Sequence, residues 1–532
     1  MENEKKQQNY LTGAATLAAS TLIVKVIGMF FKIPLQRLIG DNGYGYFTTA
    51  YDIYTVLLMI ATTGLPVAMS RMVSEAKTLG NGRQIKRIYH ASLIVFLTIG
   101  VVGTGGMLLF SKQLASVMGQ AHATYSIFAL GPAVFFVCFI SSCRGWFQGQ
   151  SNMVPTAVSQ VVEALCKLFL GMGLAWLVMR ETGRAELAAA ASIAGVTVGT
   201  VLSALYLSFK RRRTAKTPAL QQGEALPMGV TMKTLLAIAL PITLGAAGLQ
   251  MINVVDSGMV MWRLKGAAGY TQEMADELKG IYNYCQTIFN FPCAFIPNIT
   301  VAIIPVITGH LTLKNARGVR MAQESSLRLM GLIAMPCAVG LMVLSRPILT
   351  LLSDNRGEEL AIAAQLLSVL GFAVVFNSIV LMTDAFMQAQ GHVVIPVINT
   401  IIGGVVKVIV NYILVGNPDI GIIGAPIGTI LCYITITVLN ILAMRRVLPQ
   451  SPKMLSSVWR SGLAALIMGA GTYGAYFGLS AVLSSTVLCL GGALVVAVGI
   501  YAICILKCKA ITYDDCLLLP KGEKIAKILK IG

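Results

Sequence analysis

Apolar stretches of about 20 residues recur along the sequence from Leu11 to Leu506, and each is long enough to cross roughly 30 Å of hydrocarbon as a helix. A chain built this way folds in lipid. Spanning β-strands would instead alternate apolar and polar residues over roughly ten positions, a pattern missing here. Only 12% of the 532 residues are charged and 56% are hydrophobic, whereas soluble chains use roughly a quarter charged residues. The fold class expected is therefore an all-α polytopic membrane protein.

Hydropathy read over a window of about 19 residues gives fourteen spans, centred near Ser20, Leu57, Ile99, Ala133, Phe169, Val198, Gly248, Pro292, Pro336, Phe372, Val405, Leu431, Gly471 and Val495. The start, Met1 to Tyr10, is short and polar, and the first apolar run continues to Phe31 with no cleavage-like site. It reads as a membrane span, not a signal peptide.

The formal charge of +19 raises nucleic-acid binding, but the cations sit mostly in loops between spans, which excludes it. Of the 41 Lys and Arg, 28 fall on one side of a fourteen-span topology, 10 on the other, and three (Lys25, Lys167, Lys407) within spans. The richer side is assigned to the cytoplasm, together with both termini. The expected location is the bacterial cytoplasmic membrane.

Lys210 to Lys233 is the longest polar interruption, with a basic run and two prolines. It divides the chain into an N-terminal lobe of spans one to six (1–209), a basic linker (210–233), a C-terminal lobe of spans seven to twelve (234–446), and spans thirteen and fourteen with a basic tail (447–532). FQGQSNMVPTAVSQVVEALCK (147–167) lines up with MQAQGHVVIPVINTIIGGVVK (387–407) through a one-residue shift at the proline. The match places Gln148 on Gln388, Pro155 on Pro396 and, with the shift taken back after the proline, Lys167 on Lys407. Both copies run in the same sense, so the lobes are expected to be a parallel repeat of six helices each, with two further helices at the C-terminus.

A charge inside a spanning helix costs about 2.5 to 3.5 kcal/mol, and lining a water-filled cavity is the commonest compensation. The candidate cavity residues are Lys25, Lys32, Arg144, Glu163, Lys167, Asp256 and Lys407. Glu163 and Lys167 are one helical turn apart and can pair on one face, as a structural neutralisation or as part of the cavity. Lys25 and Lys407 have no acidic neighbour at helical spacing. Prolines 66, 241, 292, 297, 305 and 336 are candidate bends.

Eleven cysteines without a C-x-x-C pair read as small buried apolar side chains. The histidines His90, His122, His310 and His392 are scattered, with no H-E-x-x-H, Walker motif or nucleophile elbow. Neither an enzyme nor a metal or organic cofactor is expected.

CRGWFQGQSNMVPTAVSQVVEALCK (143–167), GLPVAMSRMVSEA (64–76) and VKVIGMFFKIPLQRLIGDNGYGYF (24–47) together resemble the stage V sporulation protein B and lipid II flippase families. These belong to the multidrug/oligosaccharidyl-lipid/polysaccharide exporter superfamily. The resemblance implies two lobes that alternate access and carry an undecaprenyl-pyrophosphate-linked peptidoglycan or polysaccharide precursor outward, driven by an ion gradient or the membrane potential. It implies a cavity-facing role for Lys25, and as partners a lipid-linked anionic glycan, membrane lipids and enzymes of cell-wall or spore-cortex synthesis. The alternative within the superfamily is a cation-coupled multidrug extruder, which would need a dominant acidic site.

Overall fold

The computed structural model describes residues 2–510 except 151, 215–223, 354–355, 393, 448–451, 484 and 509, with only scattered positions between 298 and 313. Pro305, residues 215–223 of the linker and the basic tail from 511 onward lie outside them. The described residues form helices joined by short turns, without strands. Lipid imposes this, because a helix satisfies each backbone N–H and C=O within its own segment.

Eleven described helices are long and apolar enough to cross a membrane, against the fourteen spans expected. Three places account for the difference. The first two expected spans fall in one 60-residue run, Ala19–Thr78, long enough for two crossings. The seventh falls on Met228–Leu244, an apolar helical stretch too short to count among the eleven, and the eighth where parts of the chain between 298 and 313 are undescribed.

Two compact units divide the chain, Met1–Asn283 and Tyr284–Gly532. In the first, α1 (Glu2–Thr62) is broken at Gly40, whose φ of 70° and ψ of 176° are not helical. Next come α2 (Gly64–Thr78), α3 (Gly82–Leu109), the short α4 (Ser111–Val117) and α5 (Thr124–Gly149). The following helix begins as α6 (Val154–Cys166), widens into a π turn at Lys167–Gly171 and continues as α7 (Met172–Thr182). It is followed by α8 (Ala185–Thr214), α9 (Met228–Gly266) and α10 (Gln272–Cys293), within which the unit boundary lies.

Helix α5 is the hub, packed against α1, α2, α3 and α8. The apolar faces that meet there include Ile127, Leu130, Val134 and Phe147, all nearly inaccessible. Helix α9 packs on α1, α2 and α3, which places it with the first unit although the linker reading put residues from 234 in the second lobe. Gly64 makes the close approach on α2: a Cβ there would lie 2.3 Å from the Ala239 carbonyl oxygen. Its neighbour Pro66 stands in the first turn of α2, where proline is tolerated without bending the helix. Pro292 and Pro336 lie inside helices, as expected.

In the second unit, α11 (Ala316–Val343) packs against α13 (Gly357–Ala389) and α16 (Met454–Val482). The short α12 (Ser345–Leu352) precedes α13. Helix α14 (Val394–Leu414) pairs with α15 (Gly424–Val447), and α16 with α17 (Thr486–Lys507). The turn that opens each proposed repeat copy has the same wiring. Asn152 N–H donates to the Phe147 carbonyl at 3.0 Å, and His392 N–H to that of Met387 at 2.9 Å.

Candidate functional site

Helix α6 and the π turn that follows it supply the site's chemistry because their polar positions Gln160, Glu163 and Lys167 recur at the spacing of one helical face. They open on a cleft of about 410 Å³ walled by the first unit, with Thr21, Val24 and Gly28 of α1 on one side and Tyr51, Tyr54 and Leu58 farther along the same helix. Arg144 of α5 completes it.

Lys167 is the first residue of the π turn, a widened helical turn found mostly at functional positions. Gly195 of α8 lets the turn fit: a Cβ there would lie 2.4 Å from the Gly171 nitrogen. The Lys167 ammonium stands over three aromatic rings of α1, 5.0 Å from the centre of Phe31, 5.8 Å from Phe47 and 4.4 Å from Tyr51. Among the described residues it makes no ion pair. Ring faces stabilise a desolvated cation by about 0.5 to 2 kcal/mol each without cancelling its charge. The Tyr51 hydroxyl in the same wall is buried and lacks a hydrogen-bond partner among the described residues.

Glu163 pairs with Arg144 rather than Lys167. The guanidinium Nη2 donates to the Glu163 carboxylate at 3.2 Å, and its Nε donates to the Ser159 hydroxyl at 3.0 Å. Ser159 in turn donates to the Thr156 carbonyl at 2.7 Å. The expected Glu163–Lys167 pairing is thus replaced, because a forked guanidinium from a neighbouring helix reaches the carboxylate with better geometry than an ammonium on the same helix. Arg144, a candidate cavity residue, sits inside α5 with its side chain 15% exposed.

The other sequence candidates distribute differently. Lys32, half-buried on α1, feels the opposite charge of Asp52, which also accepts a 2.6 Å hydrogen bond from Ser257. Lys25 is exposed on α1, next to the cleft-lining Val24 but not itself in the wall. Asp256 is buried away from the cleft. Lys407 lies half-buried on α14 of the second unit and is not part of this cleft.

Asp256, with Asp52 and Asp276, instead acts on Lys279, which was not among the sequence candidates. Lys279 is among the largest fully buried side chains. Its ammonium donates to the Thr49 hydroxyl at 3.2 Å and reaches the Gln120 amide oxygen at 3.5 Å. Asp276 accepts from Gln120 at 3.1 Å, Gln272 at 2.8 Å and the Tyr46 hydroxyl at 3.4 Å. The signal was present in the helical spacing of Gln272, Asp276 and Lys279, which puts all three on one face. No group of three or more His, Cys, Asp or Glu able to hold a metal ion occurs among the described residues.

Comparison with known proteins adds a lineage to this geometry. The profile of the family described as Polysaccharide biosynthesis protein matches residues 10–310, and that of the MatE family matches residues 276–413. Three Bacillus subtilis proteins align over most of the chain. Uncharacterized membrane protein YabM is 25% identical over 97% of this chain and 96% of its own length. Stage V sporulation protein B is 25% identical over 84% and 86%, and lipid II flippase MurJ is 24% identical over 84% of each. Among solved structures, lipid II flippase MurJ in an inward closed conformation superposes with a TM-score of 0.69 at 14% identity, covering 92% of this chain and 97% of that one. An inward-facing multidrug resistance MATE family transporter of the MOP superfamily gives 0.63 at 18% identity, covering 80% and 97%.

Proposed function

Since the chain belongs to the polysaccharide biosynthesis protein family, we propose that it is a flippase moving a lipid-linked, pyrophosphate-bearing peptidoglycan or polysaccharide precursor across the bacterial cytoplasmic membrane by alternating access. The observation that carries this reading is Lys167, a cation in a membrane cleft that stands over ring faces and makes no ion pair among the described residues, the nearby Glu163 being paired with Arg144. Its field attracts an anion in a setting where water screens little.

The chemistry follows from the neighbours. Lys167 takes one phosphate as a point charge, and Arg144 can grip the other with its planar fork when Glu163 gives it up. The Tyr51 hydroxyl is a donor in the same wall. A cleft of about 410 Å³ suits the anionic linkage alone, so the glycan and the polyprenyl chain lie outside it. The inside-negative potential favours outward movement of negative charge by about 2.3 kcal/mol per charge per 100 mV, which supplies a driving force without a chemical cofactor. Enzymes of cell-wall or spore-cortex synthesis are the proposed suppliers and consumers of the substrate.

Lys167→Met keeps the side chain's packing among the rings and removes only its charge. In proteoliposomes loaded with a fluorescent lipid-linked precursor, this variant is expected to incorporate normally and lose translocation. Wild-type rates would refute the anionic-substrate reading. One observation favours the cation-coupled extruder instead: Asp384 of the second unit accepts a 2.8 Å hydrogen bond from Asn440, whose amide also donates to Thr383 at 2.9 Å. Cation-dependent drug export abolished by Asp384→Asn would support that alternative.

A further inference from the structure

The second unit carries a groove of about 840 Å³ where α15 ends and α16 begins. Two chemistries share its wall. Ile441, Met444, Pro452 and Met454 line it with apolar surface, while Arg445, Lys453 and Trp459 bring two cations and an indole. Met444 and Pro452 are buried, and both cations are exposed. Neither cation makes a side-chain ion pair among the described residues. Glu324, the carboxylate in contact with this segment, accepts from the Arg320 guanidinium at 3.0 Å and from the Lys453 backbone N–H at 3.1 Å. It therefore engages the main chain of Lys453 rather than its ammonium.

The depth of the groove identifies its occupant. Both flanking helices are long and apolar enough to span the bilayer, so their joined ends fall at an interface, where tryptophan and basic residues anchor membrane proteins. The charge bias assigns this end to the cytoplasmic leaflet, which displays anionic headgroups. We propose that the groove binds an anionic glycerophospholipid, its phosphate between Arg445 and Lys453 and an acyl chain along Ile441, Met444 and Met454. Soluble phosphate would use only the cations and leave the apolar wall wet. A zwitterionic lipid would use the wall and waste the cations. The proposal is independent of the substrate carried through the first unit's cleft.

The test uses the full chain in a mild detergent, with lipid retention read by native mass spectrometry and thermal stability read in parallel. Phosphatidylglycerol is expected to be retained and to raise the melting temperature, while phosphatidylcholine and inorganic phosphate do neither. Arg445→Gln with Lys453→Gln should weaken retention by at least about fivefold, the effect of one basic contact at an anionic surface. Arg445→Lys with Lys453→Arg should restore it, and each single glutamine variant gives the same reading if the double variant cannot be purified. Equal retention of phosphatidylcholine, full stabilisation by phosphate alone, or unchanged retention in the glutamine variants would overturn the proposal. Displacement of phosphatidylglycerol by a polyprenyl phosphate at equal concentration would also overturn it, assigning the groove to substrate.

Discussion

Arg144 and Glu163 share their charges 3.2 Å apart with side chains only 15% and 27% exposed, so each is expensive to leave alone. Arg144→Gln or Glu163→Gln singly is expected to destabilise by about 2 kcal/mol, and the double replacement by less than either, because no uncompensated charge then remains. Thermal unfolding in detergent measures this cycle, and additive losses would show that the pair is not coupled. The sequence identified both members as candidates but not their pairing. Helical spacing compares residues on one helix, and it proposed Glu163 with Lys167, whereas Arg144 reaches Glu163 from α5. The rings around Lys167 were unreadable for the same reason, since Phe31, Phe47 and Tyr51 come from α1. Lys279 shows a different failure: hydropathy reads a charged turn as exposed, and only tertiary neighbours reveal a buried ammonium.

At the scale of the element, the helices were legible because apolar length alone specifies them in lipid. The break at Gly40 was not, since glycine is common in membrane helices whether or not they bend. With φ at 70° and ψ at 176°, Gly40 occupies a region almost closed to residues bearing a Cβ, at a cost of about 1 to 3 kcal/mol. Space is not the obstacle, as nothing lies within 4 Å of a Cβ built there. Gly40→Ala is therefore expected to lower the melting temperature by several degrees through backbone strain alone. An unchanged melting temperature would mean that α1 straightens at no cost. The π turn was equally invisible, because it depends on the approach of Gly195 rather than on its own residues.

For the whole molecule, the sequence carried the fold class, whereas its fourteen spans and its lobe boundary at 210–233 differ from the eleven described spans and the unit boundary at Asn283. Summed hydropathy and charge are one-dimensional, whereas the division at Asn283 depends on α9 packing against α1, α2 and α3. Orientation is the molecular property that charge bias addresses directly. Single cysteines introduced at Thr214 and Asn315 in a background lacking the native ones should react with an impermeant maleimide only from the cytoplasm, and one at Gly183 only from outside. Reaction of Thr214→Cys from the outer face would reverse the whole topology, and with it the leaflet assigned to the α15–α16 groove.

The break in α1 also makes a joint of the Lys167 cage. Phe31 stands on the stretch before Gly40, and Phe47 and Tyr51 on the stretch after it. A swing of one arm against the other at Gly40 works the cage like a pair of tongs, parting Phe31 from the other two rings. An ammonium losing a ring must find another negative surface, and under the proposed function an entering phosphate would provide one, which would make grip on the cargo and bend of the helix a single mechanical variable.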